Sequence, residues 1–579
     1  MRSRSIRLVV LVTVACLTMI VGASGSNATN MGTVPQPAGA SRFVFEELGG
    51  EYSGFSHITG STMKNGPVTD TTCASPDDAS CASLSSLMFN LIVPPCASNA
   101  APTDMCIKGV EFANADGTLE QAKFDHEVDS AKIPANSKAK TPAGGGISVW
   151  QSPSGNHLGG TNTYGVSVNI RYNIDRNPQT FEPGIGYVFS FNASIVPVTF
   201  KSGDYRPASW EKEPSDPKGF IYMKNTVPGC EWTETGKCAV KSEFAGDQKI
   251  ALTMQMDSRL TGWLFGRMKD VSVDFKTLSP TTNLIRVESS AIDVPTGYAD
   301  LAPADVAKDA NAKKVFDGMC GGGGPQCIVN RPQGDRLNWD LLGWAPSYIK
   351  GIGYADIFAP YLKTFPVRNS QWNLQGLTQS GFSQGQWNNC FGDTKKFQGI
   401  VTTNAMVYDP SPPSYVDDSL TYKVAGAHVG YDQSTVFKGT YDLAIRSEAI
   451  RCLYNFTSAP LKVTVSVTAS DGTSQNVATE AVQEKDGWLT LRARNFTFSS
   501  PTIRLKLSQE AAVAPTKAPQ TTTPSIPVPT AVTPATVMQV AVTPSPAKKT
   551  ITITCTKGKT IKRVSGAAPK CPVGFKKSA

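Results

Sequence analysis

Residues that commonly bind metals are scarce in this chain. It has only four histidines, at His57, His126, His157 and His428, and they are scattered along the sequence. None of its cysteines forms a Cys-x-x-Cys pair. A zinc site needs about four converging nitrogen or sulfur ligands. The sequence therefore predicts neither a metal site nor another cofactor.

Long stretches of helical periodicity are also rare. Short runs instead alternate apolar and polar residues, as at Val166, Val168 and Ile170, and this period of two is typical of half-buried strands. We expect a mainly β fold with little helix, built as two sandwich-like domains. The predicted strands are Arg42–Glu46, Gly165–Tyr172, Gly186–Phe191, Ile250–Met256, Met268–Phe275, Leu461–Ala469, Trp488–Leu491, Phe496–Phe498 and Thr502–Leu507.

One segment favours a helix. Asp300–Phe316 is rich in Ala, Lys and Asp, with Pro303 near its start and a run of glycines after its end. We interpret this helix as the border between two β-rich domains. The first domain would cover residues 29–300 and the second residues 301–510.

The first 28 residues have the three parts of a secretory signal peptide. Three arginines form a positive start, an apolar run covers residues 8–22, and small residues follow. The apolar run is shorter than the roughly 20 residues that span a bilayer. We therefore expect residues 1–28 to be removed, leaving a secreted protein without a transmembrane span. An uncleaved membrane anchor and a lipid attached to Cys16 are the alternatives.

Export also accounts for the cysteines. The chain has 13, and Cys16 lies in the predicted signal peptide, which leaves an even number. An even count in an exported chain is typical of disulfides formed in an oxidising compartment. The sequence does not fix their connectivity, and pairing between sequence neighbours is our working hypothesis. In order, these cysteines are Cys73, Cys81, Cys96, Cys106, Cys230, Cys238, Cys320, Cys327, Cys390, Cys452, Cys555 and Cys571.

The end of the chain differs in composition from the body. Residues 511–547 are rich in proline and threonine and almost uncharged, which predicts a disordered, extended linker. Residues 548–579 contain basic residues and no acidic ones, whereas the body has slightly more acidic than basic residues. Such asymmetry favours a tail that binds a polyanion. The residues expected to bind it are Lys557, Lys559, Lys562, Arg563, Lys576 and Lys577.

The tail also carries a resemblance. Its sequence Ile-Thr-Cys555-x-Lys-Gly-Lys, followed by Lys-Cys571-Pro-x-Gly-Phe-Lys-Lys, resembles a short C-terminal module of secreted actinobacterial proteins. Residues 369–507 are similar to parts of large secreted actinobacterial surface proteins of unknown function. The resemblance implies export and a cell-surface location. It implies no activity and no site residues.

One short motif suggests an enzyme. Residues 381–385 fit Gly-x-Ser-x-Gly, the nucleophile elbow of α/β-hydrolases, and the motif, with Ser383 at its centre, is similar to the Gly-Tyr-Ser-Gln-Gly of cutinases. Asp417 or Asp418 and then His428 follow in the order of a catalytic triad. The elbow needs a buried strand before the serine and a helix after it, whereas both flanks are polar here. We therefore expect a polar loop.

The tryptophans suggest a binding role. Gln371-Trp372-Asn373 recurs as Gln386-Trp387-Asn388. Indole rings stack on sugar rings, and neighbouring amides bond to sugar hydroxyl groups, so Trp372 and Trp387 are candidates for glycan binding. Packing of these side chains in the core is the alternative.

Together these patterns predict a secreted, cell-wall- or surface-associated binding protein rather than an enzyme. The body would bind a glycan or another surface protein, and the tail would attach to an anionic wall polymer or surface glycan. No motif supports nucleic-acid recognition. An extracellular hydrolase acting on esters or glycans and a structural component of a surface layer are the competing hypotheses.

Overall fold

The computed structural model describes most of the body and part of the tail. The described residues are 34–46, 54–61, 71–75, 77–78, 81, 84–176, 184–212, 221–227, 229–321, 341–344, 351–377, 390, 397–457, 461–468, 474–476, 478–498, 502–509, 551–557, 560–566, 571 and 575–577. The predicted signal peptide and linker, together with Cys327, Ser383, Trp387 and Lys559, lie outside these residues.

The fold is mainly β, as predicted. Its strands are β1 (Ser41–Glu46), β2 (His57–Ser61), β3 (Thr71–Cys73), β4 (Ser86–Ile92), β5 (Cys106–Ala113), β6 (Leu119–Gln121), β7 (Lys123–Glu127), β8 (Ser148–Gln151), β9 (Thr163–Asp175), β10 (Tyr187–Ser202), β11 (Ser209–Lys212), β12 (Ile221–Lys224), β13 (Trp232–Glu234), β14 (Lys237–Lys241), β15 (Lys249–Asp257), β16 (Gly262–Arg267), β17 (Lys269–Thr277), β18 (Thr282–Ser290), β19 (Ile292–Asp293), β20 (Gly297–Leu301), β21 (Leu341–Trp344), β22 (Leu362–Thr364), β23 (Ser370–Gln371), β24 (Asn373–Leu377), β25 (Phe397–Thr403), β26 (Val407–Tyr408), β27 (Ser414–Val416), β28 (Ser419–Ala425), β29 (Lys438–Arg446), β30 (Leu461–Thr468), β31 (Ser474–Asn476), β32 (Ala478–Lys485), β33 (Trp488–Thr497), β34 (Thr502–Gln509), β35 (Ile551–Lys557), β36 (Thr560–Gly566) and β37 (Lys576–Lys577). Its helices are α1 (Pro303–Lys308), α2 (Ala310–Gly321), α3 (Gly351–Phe358) and α4 (Ser447–Tyr454), with a 3-10 helix at Ala359–Tyr361.

One long sheet runs through the body. Its strand order is β3-β2-β4-β9-β10-β24-β16-β25-β29-β33-β32, and the pairs β7-β8 and β13-β14 join it at the side. Neighbouring strands along this order are antiparallel except β16 and β25, which are parallel. Several neighbours in this order, such as β10 and β24, are far apart in the sequence. Long-range pairing therefore holds the body together.

The first core lies between one face of the long sheet and a five-stranded sheet of order β17-β18-β15-β5-β6. On β9, every second side chain from Tyr164 to Ile174 is buried in this core, as the alternation predicts. The five-stranded sheet contributes residues such as Leu252 and Val287. Two sheets that enclose an apolar layer form a β-sandwich.

A second core lies on the opposite face of the same long sheet. On β16, Leu264 packs in the first core, whereas Trp263 and Phe265 pack in the second. Successive side chains on a strand point to opposite faces. A smaller sheet, β26-β28-β34-β30-β31, covers this second face with Tyr422 and Leu505. The body thus contains two sandwiches that share one long sheet.

The border predicted near residue 300 falls within this shared body. Strand β1 pairs with both β20 and β21, and β10 pairs with β24. Residues 1–512 form one compact unit and residues 513–579 form another. The predicted helix is present as two helices, α1 and α2. Asp309 separates them, and its carboxylate accepts a hydrogen bond from the backbone N–H of Ala312 at 3.0 Å.

Four of the disulfide bonds expected between sequence neighbours are confirmed among the described residues. Their Cα–Cα distances of 4.8 to 5.9 Å fit this linkage. Cys571 in the tail is also disulfide-bonded. The predicted partner of Cys320 lies outside the described residues. The described pairs are Cys73–Cys81, Cys96–Cys106, Cys230–Cys238 and Cys390–Cys452.

The C-terminal unit contains a small antiparallel sheet of order β36-β35-β37. Strand β35 covers the Thr-Ile alternation in the tail. The register places Cys555 opposite Lys562 on one side and opposite Lys577 on the other. Basic residues that are separate in the sequence therefore occupy one cross-strand row.

A buried ion pair joins two strands of the body. Arg42 on β1 donates from Nε and Nη2 to the two carboxylate oxygens of Asp300 on β20, at 2.6 and 2.7 Å. Its Nη1 donates to the carbonyl oxygen of Val34 at 2.7 Å, and its guanidinium lies 4.7 Å from the centre of the Tyr298 ring. Both charged side chains are buried. Removal of either partner would leave an uncompensated buried charge.

We expect Asp300→Asn to lower the free energy of unfolding by about 3 kcal/mol, because Arg42 would remain charged without a counter-ion. Urea unfolding followed by intrinsic fluorescence measures this change. The control is Lys224→Met, which breaks an exposed pair with Glu211 and should change the same quantity by less than about 1 kcal/mol. Equal effects of the two substitutions would contradict the role of the buried pair.

Candidate functional site

A polar surface covers the face of the long sheet that is opposite the first core. Polar side chains alternate with core side chains along β9 and β10, and they are half-buried. Polar residues at matching positions on the neighbouring strands extend this surface. We call it the amide face, and it consists of His57, Asn90, Ser167, Asn169, Arg171, Asn173, Ser190, Asn192, Ser194 and Gln375.

The strand register sets the amides in a row. Asn169 on β9 lies opposite Asn192 on β10, and Asn192 lies opposite Gln375 on β24. Directly opposite residues in antiparallel strands point to the same face, with Cβ atoms about 5 Å apart. Three amide side chains therefore stand next to one another across three adjacent strands.

Asparagine is an unfavourable choice for the interior of a strand. The fold gives no internal reason for it here, since the side chains of Asn169 and Asn192 make no hydrogen bond with any other described residue. The same is true of the hydroxyl groups of Ser190 and Ser194. Each amide offers two N–H donors and one oxygen acceptor, and each hydroxyl both donates and accepts. These groups are therefore available for hydrogen bonds with a molecule outside the fold.

A second row lies one step further along the strands. It contains His57, Asn90 and Arg171, which are neighbours on β2, β4 and β9. Nε of Arg171 donates to Oδ1 of Asn90 at 3.0 Å, and Nδ2 of Asn90 lies 3.5 Å from Nδ1 of His57. Burial lowers the pKa of His57 to about 4, and the charge of Arg171 acts in the same direction. At neutral pH the histidine is therefore uncharged, and the guanidinium supplies the positive charge of this row.

Exposed apolar side chains border the amide face. Ile185, Tyr187 and Phe189 are 58%, 47% and 45% exposed. The hydroxyl oxygen of Tyr187 accepts a hydrogen bond from Nδ2 of Asn173 at 3.2 Å, which links this border to the face. Phe189 lies at a β-bulge between the paired residues Val188 and Ser190. Bulges change the direction of side chains and are frequent next to binding sites.

Trp372 has a different role from the one its sequence suggests for glycan binding. Trp372 is 1% exposed and packs in the first core, and its carbonyl oxygen accepts a hydrogen bond from the N–H of Ile195 at 3.1 Å. A buried indole has no free ring face for a sugar. Core packing, the alternative interpretation, describes this residue. Trp387 lies outside the described residues.

The residues of the suggested catalytic triad do not form a described site. Asp417 and Asp418 are the two turn residues of the hairpin β27–β28, with φ values of 51° and 54°. Such turns favour Asp, Asn and Gly, so local backbone geometry accounts for the acid pair. Asp417 and His428 are both exposed, and no hydrogen bond joins them within the described part of the chain. Ser383 lies outside it.

The structure places part of the predicted anion-binding tail. Lys576 and Lys577 on β37 are exposed. Lys557, Lys562 and Arg563 belong to β35 and β36. Lys559 lies outside the described residues. The basic residues are thus carried on a small sheet.

Sequence reasoning missed the amide face although its pattern is visible. The alternation at Val166, Val168 and Ile170 identifies the strand, and the residues between them, Asn169 among them, form the amide face. Groups of three or more potential metal ligands are absent among the described residues. In the same residues, no helix has the length and apolar character needed to cross a membrane.

No model of a known protein family matches this chain, and no curated protein matches it either. The geometry of the amide face and the composition of the tail therefore carry the functional argument.

We expect acid to destabilise the fold through His57. Its pKa falls from 6.5 to about 4 on folding, so its contribution to stability is present above pH 6.5 and is lost as the pH falls toward 4. In His57→Gln, the urea midpoint should fall less steeply between these pH values. His428→Gln, at an exposed position, is the control and should keep the original slope. An unchanged slope in His57→Gln would refute this assignment.

Proposed function

We propose that the protein is an exported, envelope-associated binding protein whose amide face binds a neutral polysaccharide and whose basic tail attaches to an anionic polymer. The observation that carries the proposal is the pair of strand amides, Asn169 and Asn192, that make no hydrogen bond with other described residues. The disulfide bonds support export, since such bonds persist in oxidising compartments. The resemblance of the tail to secreted actinobacterial proteins favours the same location.

The chemistry of the amide face favours a polysaccharide. Sugar hydroxyl groups donate and accept hydrogen bonds, and so do the amides and serine hydroxyls of this face. Hydrogen-bonding groups outnumber charged groups on this face, because His57 is uncharged and Arg171 is its one cationic side chain. Binding of a neutral ligand to this face therefore has a smaller desolvation cost than binding of a polyanion would have.

The dimensions and the border of the face fit a polymer. Strands in a sheet are about 4.8 Å apart, so the row from Asn169 to Gln375 extends about 10 Å and contacts more than one sugar unit. The exposed rings of Tyr187 and Phe189 offer apolar surfaces to the C–H groups of a sugar. The row of amides and these exposed rings together supply the polar groups and the apolar surface that orient a ligand in a binding site.

The tail supports a separate electrostatic attachment. Residues 548–579 contain basic residues and no acidic ones, and Lys576 and Lys577 are exposed. A concentrated charge of one sign attracts a polymer of the opposite sign, and salt screens this attraction over about 10 Å at 0.1 M. The proposed partner is an anionic polymer of the cell envelope.

We expect the double substitution Asn169→Ala and Asn192→Ala to weaken polysaccharide binding about thirtyfold, since each of the two lost hydrogen bonds contributes about 1 kcal/mol. The measurement is sedimentation of purified protein with insoluble neutral envelope polysaccharide. Asn311→Ala, at an exposed position on α2, is the matched control and should bind normally. Normal binding by the double variant would exclude the amide face as the site.

We expect deletion of residues 548–579 to remove the salt-sensitive part of binding to isolated cell envelopes. Binding of the full mature chain should decrease as the salt concentration rises, because screening weakens the attraction of the tail. Binding by the truncated chain should change little over the same salt series, because hydrogen bonds of the amide face would remain. The same salt dependence in both chains would place the electrostatic contact in the body.

A further inference from the structure

A buried cluster of reactive side chains lies away from the amide face. Lys241 is the last residue of β14, and Asn369 immediately precedes β23. The two residues are 128 positions apart in the sequence. Nζ of Lys241 lies 2.8 Å from Oδ1 of Asn369. Lys241, Asn369 and the nearby Glu243 are 8%, 6% and 6% exposed. The three side chains are therefore shielded from water.

The environment of Lys241 is unusual for a lysine. Buried lysines are almost always paired with an acidic group. Among the described residues, no carboxylate lies within ion-pair distance of Nζ of Lys241, and its hydrogen bond is made to an amide. Burial of a lysine amine beside a neutral amide is less favourable in free energy than burial in an ion pair. A reaction between the amine and the amide, however, requires this arrangement.

The carboxylate of Glu243 is held next to the segment that carries Asn369, beyond ion-pair distance from Nζ of Lys241, so it would move protons in such a reaction through one bridging water. Its Oε2 accepts a hydrogen bond from the backbone N–H of Ser370, the residue that follows Asn369. Nδ2 of Asn369 donates to Oγ1 of Thr296 at 3.3 Å, which orients the amide. Burial raises the pKa of Glu231, and the nearby charge of Lys241 opposes this shift. Because Glu243 is hydrogen-bonded to the segment that carries Asn369, we take it as the base.

We propose that Lys241 and Asn369 become joined by an isopeptide bond in the folded protein, with Glu243 as the proton carrier. The lysine nitrogen gives up a proton and attacks Cγ of Asn369, so that a new C–N bond forms. The bond between Cγ and Nδ2 then breaks. Two protons in all pass from the lysine nitrogen to Nδ2 by way of Glu243, and Nδ2 leaves as ammonium. No oxidant, metal or further reactant is needed.

The bond would act as a staple within the body. Strand β14 pairs with β10, and the segment after Asn369 continues through β23 into β24, which pairs with β10 as well. A link from Lys241 to Asn369 therefore joins two segments that flank the same long strand. Unlike the disulfides, it would survive reducing conditions.

The test uses the purified, reduced full-length mature chain and mass spectrometry. We expect an intact mass lower than that of the sequence by one ammonia, and a protease digest in which the peptides containing Lys241 and Asn369 migrate as one branched species. Glu243→Gln, which keeps an oxygen acceptor for the Ser370 N–H, should contain the two peptides separately. Lys201→Met, at an exposed site on β10, should keep the link.

Two results would overturn the proposal. The first is an intact mass equal to that of the sequence, with separate Lys241 and Asn369 peptides in the unmodified protein, and it does not depend on whether any variant folds. The second is a linked peptide pair that persists in Lys241→Met, because the link would then use another residue. Binding of polysaccharide is not part of either measurement, so the outcome is independent of the proposed function.

Discussion

The strict alternation of side chains along β16 is the constraint that organises the body. Leu264 reaches one core while Trp263 and Phe265 reach the other, so a single strand serves two sandwiches. A shift of one residue in its register would exchange these sets and place each in the core built for the other. The row that begins at Asn169 and Asn192 continues through Gln375 to Phe265. The same face of the sheet is thus apolar where the second sandwich covers it and polar where no described sheet covers it.

The sequence predicts the strands well but not their partners. Alternating residues, as on β9 and β30, identify a strand because burial of one face imposes a period of two. Nothing local specifies that β10 pairs with β24 or β16 with β25, since those contacts depend on the whole chain. The helix near residue 300 was predicted from its composition. Its interpretation as a domain border rested on sequence order, whereas strands on both sides of it share one sheet.

The candidate site shows the same limit. Tryptophan attracts attention in a sequence because it is rare and binds sugars well, yet Trp372 lies in the core, where its large apolar area stabilises most. Asparagine does not suggest a binding site in a sequence, because it is common in loops. Only the strand assignment makes Asn169 and Asn192 unusual, since an amide in a strand interior needs a reason. The acid pair Asp417–Asp418 is the converse case, in which a turn explains what the sequence alone suggests as chemistry.

A buried polar cluster fixes how the two sandwiches meet. Asp442 on β29 accepts hydrogen bonds from the backbone N–H of Asp270 at 2.8 Å and from Nη2 of Arg494 at 2.7 Å. Burial raises the pKa of Asp442 to about 6 although Arg494 opposes the effect, so ionising this group inside the protein is unfavourable. Such clusters add little net stability. Their bonds are directional, however, and these three groups meet only when β17 of the first sandwich docks at one position on β29 and β33. Apolar contacts alone would tolerate sliding, so we infer that the cluster specifies the arrangement that keeps the amide face uncovered by the second sandwich.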